Sequence, residues 1–240
     1  MKKKLLAVAL AVALIAIMVS GTLAYFTAED EVTNTFTIGS VDIEIFENDK
    51  ETASTVVSFT KPLLPIVNTD DPTADSGYAA KTVKVKSTGL NDAYIRLHIA
   101  FPSALLDYLQ LDADATGWGN FVQTEATVEG VEYTVMSFDY QAIVKPGEFT
   151  AELLKGVYLK SEVDIKDNPA TASADLEFCK PDGNGGYTFS GFVAHQKTDT
   201  GYTSNTVNIL VYSQAIQAQG FSDATTALNS GFGVNTNPWK

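Results

Sequence analysis

Short runs of β-branched and aromatic residues alternate with polar ones along most of this chain, each run bounded by Gly, Pro, Asn or Asp, and such a rhythm specifies strands. Val32, Asn34, Phe36 and Ile38 fall on one face of such a run, with Thr33, Thr35 and Thr37 on the other. After Gly39, Val41, Ile43 and Ile45 alternate with Asp42 and Glu44, so two strands with a glycine-marked bend are expected there. Val83 and Val85 alternate with Lys84 and Lys86, and Ile95, Leu97, Ile99 and Phe101 with Tyr94, Arg96 and His98, the pattern of half-buried strands. Further strands are expected over 133–144, 156–159, 176–178, 187–189 and 207–212. Lys145-Pro-Gly-Glu148 suits a type II turn, and Asp182-Gly-Asn-Gly-Gly186 a hairpin loop.

Helix signals are few. Ser103 can cap a short apolar-rich segment over 104–109, and Ser222 can cap 223–229 with Gly231 beyond its end. The stretch Asn68 to Gly77 is rich in Asp, Thr and Pro and reads as an exposed loop. The expected class is therefore all-β, as one domain or one with insertions, with two packed domains as the alternative.

The chain start carries an export signature. Lys2, Lys3 and Lys4 precede an apolar run from Leu5 to Val19, too short for the roughly 20 residues of a spanning helix. Thr22-Leu23-Ala24 supplies small groups at the two positions a signal peptidase must accommodate and places cleavage between Ala24 and Tyr25, with a retained anchor as the competing reading. Removing the three lysines from 16 basic residues leaves 13 against 29 acidic ones, a formal charge near −16. Such a surface repels nucleic acid and anionic lipid, and it keeps copies apart until salt screens it. Cys179 is the only cysteine, so the core has to stabilise the fold without an internal disulfide; a buried thiol is favoured over a cross-linking one.

Chemistry-bearing patterns are sparse. His98 and His195 stand apart with no ligand spacing around them, which favours ordinary surface or strand roles over zinc. Serines lack a Gly-x-Ser-x-Gly elbow, and Cys179 has no neighbouring His. Asp112, Asp114 and Thr116 copy the opening of a calcium loop, but Gln123 stands where a bidentate Glu belongs. An acidic turn is favoured there over calcium, and no cofactor or catalytic residue is expected.

The segment that begins the exported chain is extendable: Tyr25, Phe26, Thr27, Ala28, Val32, Thr33 and Asn34 form a strand candidate ahead of the first well-patterned run. A strand not consumed by its own sheet can pair with an open edge on the next molecule, and head-to-tail repetition makes a filament. Fraying or folding back is the alternative.

Several stretches together resemble the TasA/camelysin family of secreted fibre proteins of Gram-positive bacteria, exported with a SipW-type signal peptidase. They are Gly21-Thr-Leu-Ala24 followed by Tyr25-Phe26, then Thr35-Phe-Thr-Ile-Gly-Ser-Val-Asp-Ile43, Ser87 to Arg96, and Val211 to Phe221 as a closing strand. The resemblance implies a jelly-roll-like antiparallel β-sandwich and fibres in which one subunit's N-terminus completes the sheet of its neighbour. It also implies a dedicated signal peptidase and an accessory fibre subunit as partners. Glu29, Asp30 and Glu31 put three carboxylates in the donor, which disfavours a closed apolar groove and suits an exposed edge.

The expectation is thus a signal peptide over 1–24 that is helical, a donor-strand candidate over 25–34 and a β-sandwich domain over 35–240 with a few short helices. Its expected role is a non-enzymatic, secreted subunit that polymerises with itself into biofilm matrix or cell-surface fibres. The alternatives are a camelysin-like cell-surface metalloprotease, or a monomeric adhesin whose Trp118, Tyr133 and Tyr140 stack on glycan.

Overall fold

Alternating burial of the kind read from Val83 and Val85, both fully buried, organises the chain into antiparallel sheets. The computed structural model describes residues 27–29, 40–52, 56–57, 64–171, 173–234 and 237–239. Its strands are β1 (Thr27–Glu29), β2 (Ile43–Glu47), β3 (Lys50–Thr52), β4 (Val56–Val57), β5 (Ala79–Ser87), β6 (Ala93–Pro102), β7 (Leu109–Ala113) and β8 (Trp118–Val128). They continue with β9 (Val131–Tyr140), β10 (Leu154–Leu159), β11 (Asp164–Asp167), β12 (Leu176–Pro181), β13 (Tyr187–Thr198), β14 (Gly201–Ser204) and β15 (Ile209–Gln217), before helix α1 (Ala224–Phe232).

One sheet runs β1-β15-β6-β9-β8, with β4 also on β15; a second runs β3-β2-β5-β10-β7; a third, smaller one runs β11-β12-β13-β14. The first two face each other across a single core, in which Ile95, Leu97, Ile99, Val211 and Ala215 meet Ile43, Ile45, Val83, Val85, Val157 and Leu159. Each large aliphatic side chain so buried contributes about 1.5–3 kcal/mol. The arrangement is an all-β sandwich. Its central triplets β15-β6-β9 and β5-β10-β7 follow jelly-roll order, while β8 stays beside β9 and β2 beside β5. The third sheet joins the same core through Phe178 and Ala194.

Several expected elements take a different form. The helix expected over 104–109 is one turn of 3-10 helix at Ser103–Leu105, because Leu109 is drawn into β7 opposite Leu159. Helix α1 is capped by Asp223 rather than Ser222, its carboxylate accepting from the Thr226 amide at 2.8 Å. Gly231 lies inside that helix, and Gly233, at φ 85°, ends it. β6 is not half-buried, since all ten of its residues are buried and something covers its second face. β8, an eleven-residue edge strand, has no clear apolar alternation, and short β11 and β14 carry little more. The turn over 145–148 forms as expected, with the Glu148 amide on the Lys145 carbonyl at 2.9 Å and Gly147 at φ 83°. The expected loop over 68–77 is organised by Asp75, whose carboxylate accepts from the amides of Val67, Asn68 and Gly77.

Candidate functional site

The closing strand β15 is where the two halves of the sequence argument meet. Its sequence, Ile-Leu-Val-Tyr-Ser-Gln-Ala-Ile-Gln, buries all but Tyr212, with Ile209, Val211 and Ala215 in the sandwich core. On one side it pairs with β6 without a break, from Leu210 opposite Ala100 to Gln217 opposite Ala93. The other side is held by two short pieces. β1 pairs Thr27 with Ile216, Ala28 with Ala215 and Glu29 with Gln214, and β4 pairs Val57 with Ile209 and Val56 with Leu210. Val211 to Ser213 lie between those pairings. The Ser213 side chain is fully buried, and its hydroxyl has no hydrogen-bond partner among the described residues.

The outward face of this sheet carries polar side chains that the chain end covers. Arg96 binds Asp139 through Nε at 2.6 Å and Nη2 at 3.1 Å, and the same guanidinium donates to Asn229 of α1 at 2.7 Å and to the Gly233 carbonyl at 3.0 Å. Asn120 adds a 2.8 Å bond to Asp139. Beside them His98 is fully buried, with Nδ1 2.7 Å from the Ser137 hydroxyl and Nε2 3.1 Å from the Gln214 carbonyl oxygen. Burial pushes the His98 pKa down to about 4, with the nearby Arg96 charge acting in the same sense and Gln214 and Asp139 opposing it. The imidazole is therefore neutral at pH 7. Trp239 closes over it at 6.4 Å between ring centroids, and α1 packs Ala224, Ala227 and Leu228 on Tyr94 and Ile216. A Ser–His contact exists here that the one-dimensional pattern does not announce. Its only signal is that both β6 and β9 carry two polar residues at strand spacing, Arg96 and His98 against Ser137 and Asp139.

Beyond the foot of β15, where the Ala218 amide donates to the Asp92 carbonyl at 2.8 Å, a cavity of about 470 Å³ is lined by Leu90, Asn91, Asp92, Ile143, Gln217, Ala218 and Gln219. Leu90 is 78% exposed and Ile143 45% exposed, so two aliphatic side chains face solvent at the mouth.

Of the expected donor segment, Thr27 and Ala28 lie in β1 on the chain's own β15; Tyr25, Phe26, Val32, Thr33 and Asn34 lie outside the described residues, as do Ala24 and the whole signal segment. The remaining candidates are dispersed. Asp112 accepts from the Tyr78 hydroxyl at 2.6 Å, and Asp114 pairs with Lys155 at 2.8 Å while accepting from the Thr116 amide. These partners hold the Asp114 carboxyl well below the usual range. No three His, Cys, Asp or Glu side chains converge on a metal-sized site among the described residues. His195 contacts the Ser204 hydroxyl at 3.0 Å across β13 and β14. Trp118 and Tyr133 are buried, Trp118 against Tyr140 at 5.0 Å, so these rings do not form a flat platform at the surface. Cys179 is buried in β12, and burial raises its thiol pKa.

No protein-family model matches the chain, and no curated protein matches its sequence. The functional reading therefore rests on the residues and the fold.

Proposed function

We propose that this chain is a secreted structural subunit, without enzymatic activity of its own, that polymerises into extracellular matrix or cell-surface fibres by exchange of its N-terminal strand between copies. The observation that supports the reading most directly is the unequal treatment of β15. One side is locked along eight residues to β6, whereas the opposite edge is held at its foot by three residues of β1. Each backbone hydrogen bond there is worth about 0.5–1.5 kcal/mol net, so releasing β1 costs little and an identical strand from another copy restores it. Main-chain pairing supplies affinity, and repetition from copy to copy propagates one contact along a filament. The export signature at 1–24 and the strongly acidic composition fit a protein that travels as separated monomers and assembles outside.

The test is electron microscopy with light scattering on Tyr25–Lys240 beside a chain starting at Thr35, as salt and concentration are raised. Filaments from the first and folded monomers from the second are expected. Equal filaments from both would remove the N-terminal strand from the mechanism, and folded monomers from both in every condition would remove the fibre.

A further inference from the structure

The cavity beyond the foot of β15 stands apart from the edge on which β1 lies. β1 holds one edge of β15, whereas Asn91, Asp92 and Ile143 belong to the β6 side. Main-chain bonds fix its walls. On one, the amides of Thr88 and Gly89 donate to the Asp42 carbonyl at 2.8 and 3.1 Å, and the Leu90 amide donates to the Ser40 carbonyl at 2.8 Å. Gly89 permits this approach, because a Cβ there would lie 2.3 Å from the Ser40 carbonyl oxygen. On the other, Ala93 and Val144 exchange two 2.9 Å bonds beside Ile143. Leu90 and Ile143 are therefore aliphatic surfaces held in water by pinned backbone.

The polar part of the lining is a set of carboxamides around one carboxylate. Gln217, only 8% exposed, accepts from the Asn91 side-chain amide at 3.4 Å and donates to the Gln219 side-chain oxygen at 3.1 Å. Among the described residues, these bonds leave the Asn91 side-chain oxygen, the Gln219 side-chain nitrogen and the Asp92 carboxylate without a partner. Acceptors and a donor thus surround a hollow of about 470 Å³, inside the range of about 300–1,000 Å³ that small-molecule sites occupy. No lysine, arginine or histidine lines it, which disfavours an anion, and one carboxylate is too few for a divalent cation. The main-chain groups of Asp92, Ala93, Val144 and Ala218 already bond one another, so an extended peptide finds no open edge there. The chemistry left is that of a neutral ligand dense in hydroxyls, with an aliphatic C–H face.

We propose that this cavity binds a neutral saccharide, whose hydroxyls bond Asn91, Asp92 and Gln219 and whose C–H face rests on Leu90 and Ile143. A sugar hydroxyl both donates and accepts, so it can give its proton to the Asp92 carboxylate while accepting from the Gln219 nitrogen. The assignment does not depend on the fibre reading. Where copies do exchange strands, the β1 edge lies on the opposite side of β15, so every copy keeps its site, and repetition turns weak single contacts into avidity.

The experiment uses Tyr25–Lys240 held as monomer at low salt, with labelled Leu and Ile methyl groups followed by nuclear magnetic resonance. The probes are neutral disaccharides of glucose, galactose and N-acetylglucosamine in α and β linkage, with oligogalacturonate and trialanine as the anionic and peptide controls. At least one disaccharide is expected to shift the Leu90 and Ile143 methyl signals saturably in the millimolar range. Asp92→Ala and Gln219→Ala, both at exposed positions, should weaken that binding at least tenfold with an unchanged circular dichroism spectrum, and Asp92→Asn, which still accepts, should retain most of it. Oligogalacturonate binding as tightly as the disaccharides overturns the neutral class, and trialanine moving the two methyl signals when no sugar does overturns the saccharide. Sugar binding that leaves both methyl signals in place and survives Asp92→Ala overturns the location. Silence from every probe overturns the site, and none of these outcomes bears on strand exchange.

Discussion

Arg96 and Asp139 show how much one charged pair can hold. Both side chains are buried, and the guanidinium reaches Asp139, Asn229 and Gly233 together, so β6, β9 and α1 converge on a single residue. Removing one partner strands the other charge away from water, a cost of about 3–5 kcal/mol. Arg96→Met is expected to lose that much in urea unfolding, and the pair Arg96→Met with Asp139→Leu to regain most of it. His98 makes a pH-dependent contribution with a definite sign. Its folded pKa of about 4 lies below the ordinary 6.5, so the unfolded chain takes up a proton first as pH falls. Stability from this group is complete above pH 6.5 and declines by about 3 kcal/mol as pH drops to 4, where the folded state also protonates. His98→Gln should flatten the unfolding free energy across that window. Asp75, Asp114 and Asp223 are held below the usual carboxyl range by hydrogen bonds and Lys155, so their contributions fade only at lower pH. The sequence placed His98 with Arg96 on one polar face, but the burial of that face depends on residues over 120 positions away, to which no local pattern points.

At the level of elements, the strands with strict alternation, β2, β5 and β6, were legible because each has one face committed to the core. β8 was not. It sits at the edge of its sheet, where Phe121 and Val122 stand side by side and Thr124, Glu125 and Thr127 break any period-two apolar pattern, and pairing to β9 makes it a strand. β6 shows the opposite limit, because its alternation reports the inner face correctly and says nothing of the helix on the outer one. Helix α1 supplies that cover with a modest local preference, so its cap matters: Asp223→Ala is expected to cost about 1 kcal/mol, and Leu228→Ala about 2–5 kcal/mol, by denaturant unfolding. Gly156 is required for a different reason. It sits at the register shift of β10, where a Cβ would lie 2.2 Å from the Tyr78 ring, whose hydroxyl holds Asp112. Gly156→Ala should destabilise by about 1–3 kcal/mol through overpacking.

Over the whole molecule, the excess of acidic residues sets the conditions under which copies can meet. With a formal charge near −16 over residues 25–240, repulsion extends about 30 Å at 0.01 M salt and about 8 Å at 0.15 M. Assembly followed by light scattering should therefore accelerate steeply over that range and level off beyond it. The sandwich itself was legible from period-two runs and turn residues, because each such run commits one face to the shared core. The candidate edge was legible only in part: the sequence pointed to an N-terminal strand, whereas its partner strand, its register and the orphaned Ser213 hydroxyl emerge only when β15 is folded against β6.

Cys179, the sole sulfhydryl, is sealed inside the smallest sheet, while the two tryptophans, Trp118 and Trp239, report on the sandwich. The chain thus carries two independent clocks. The rate at which a water-soluble disulfide reagent labels the thiol times the opening of β11 to β14, and fluorescence times the sandwich; labelling that outruns the fluorescence change would mark the small sheet as a module that breathes on its own schedule.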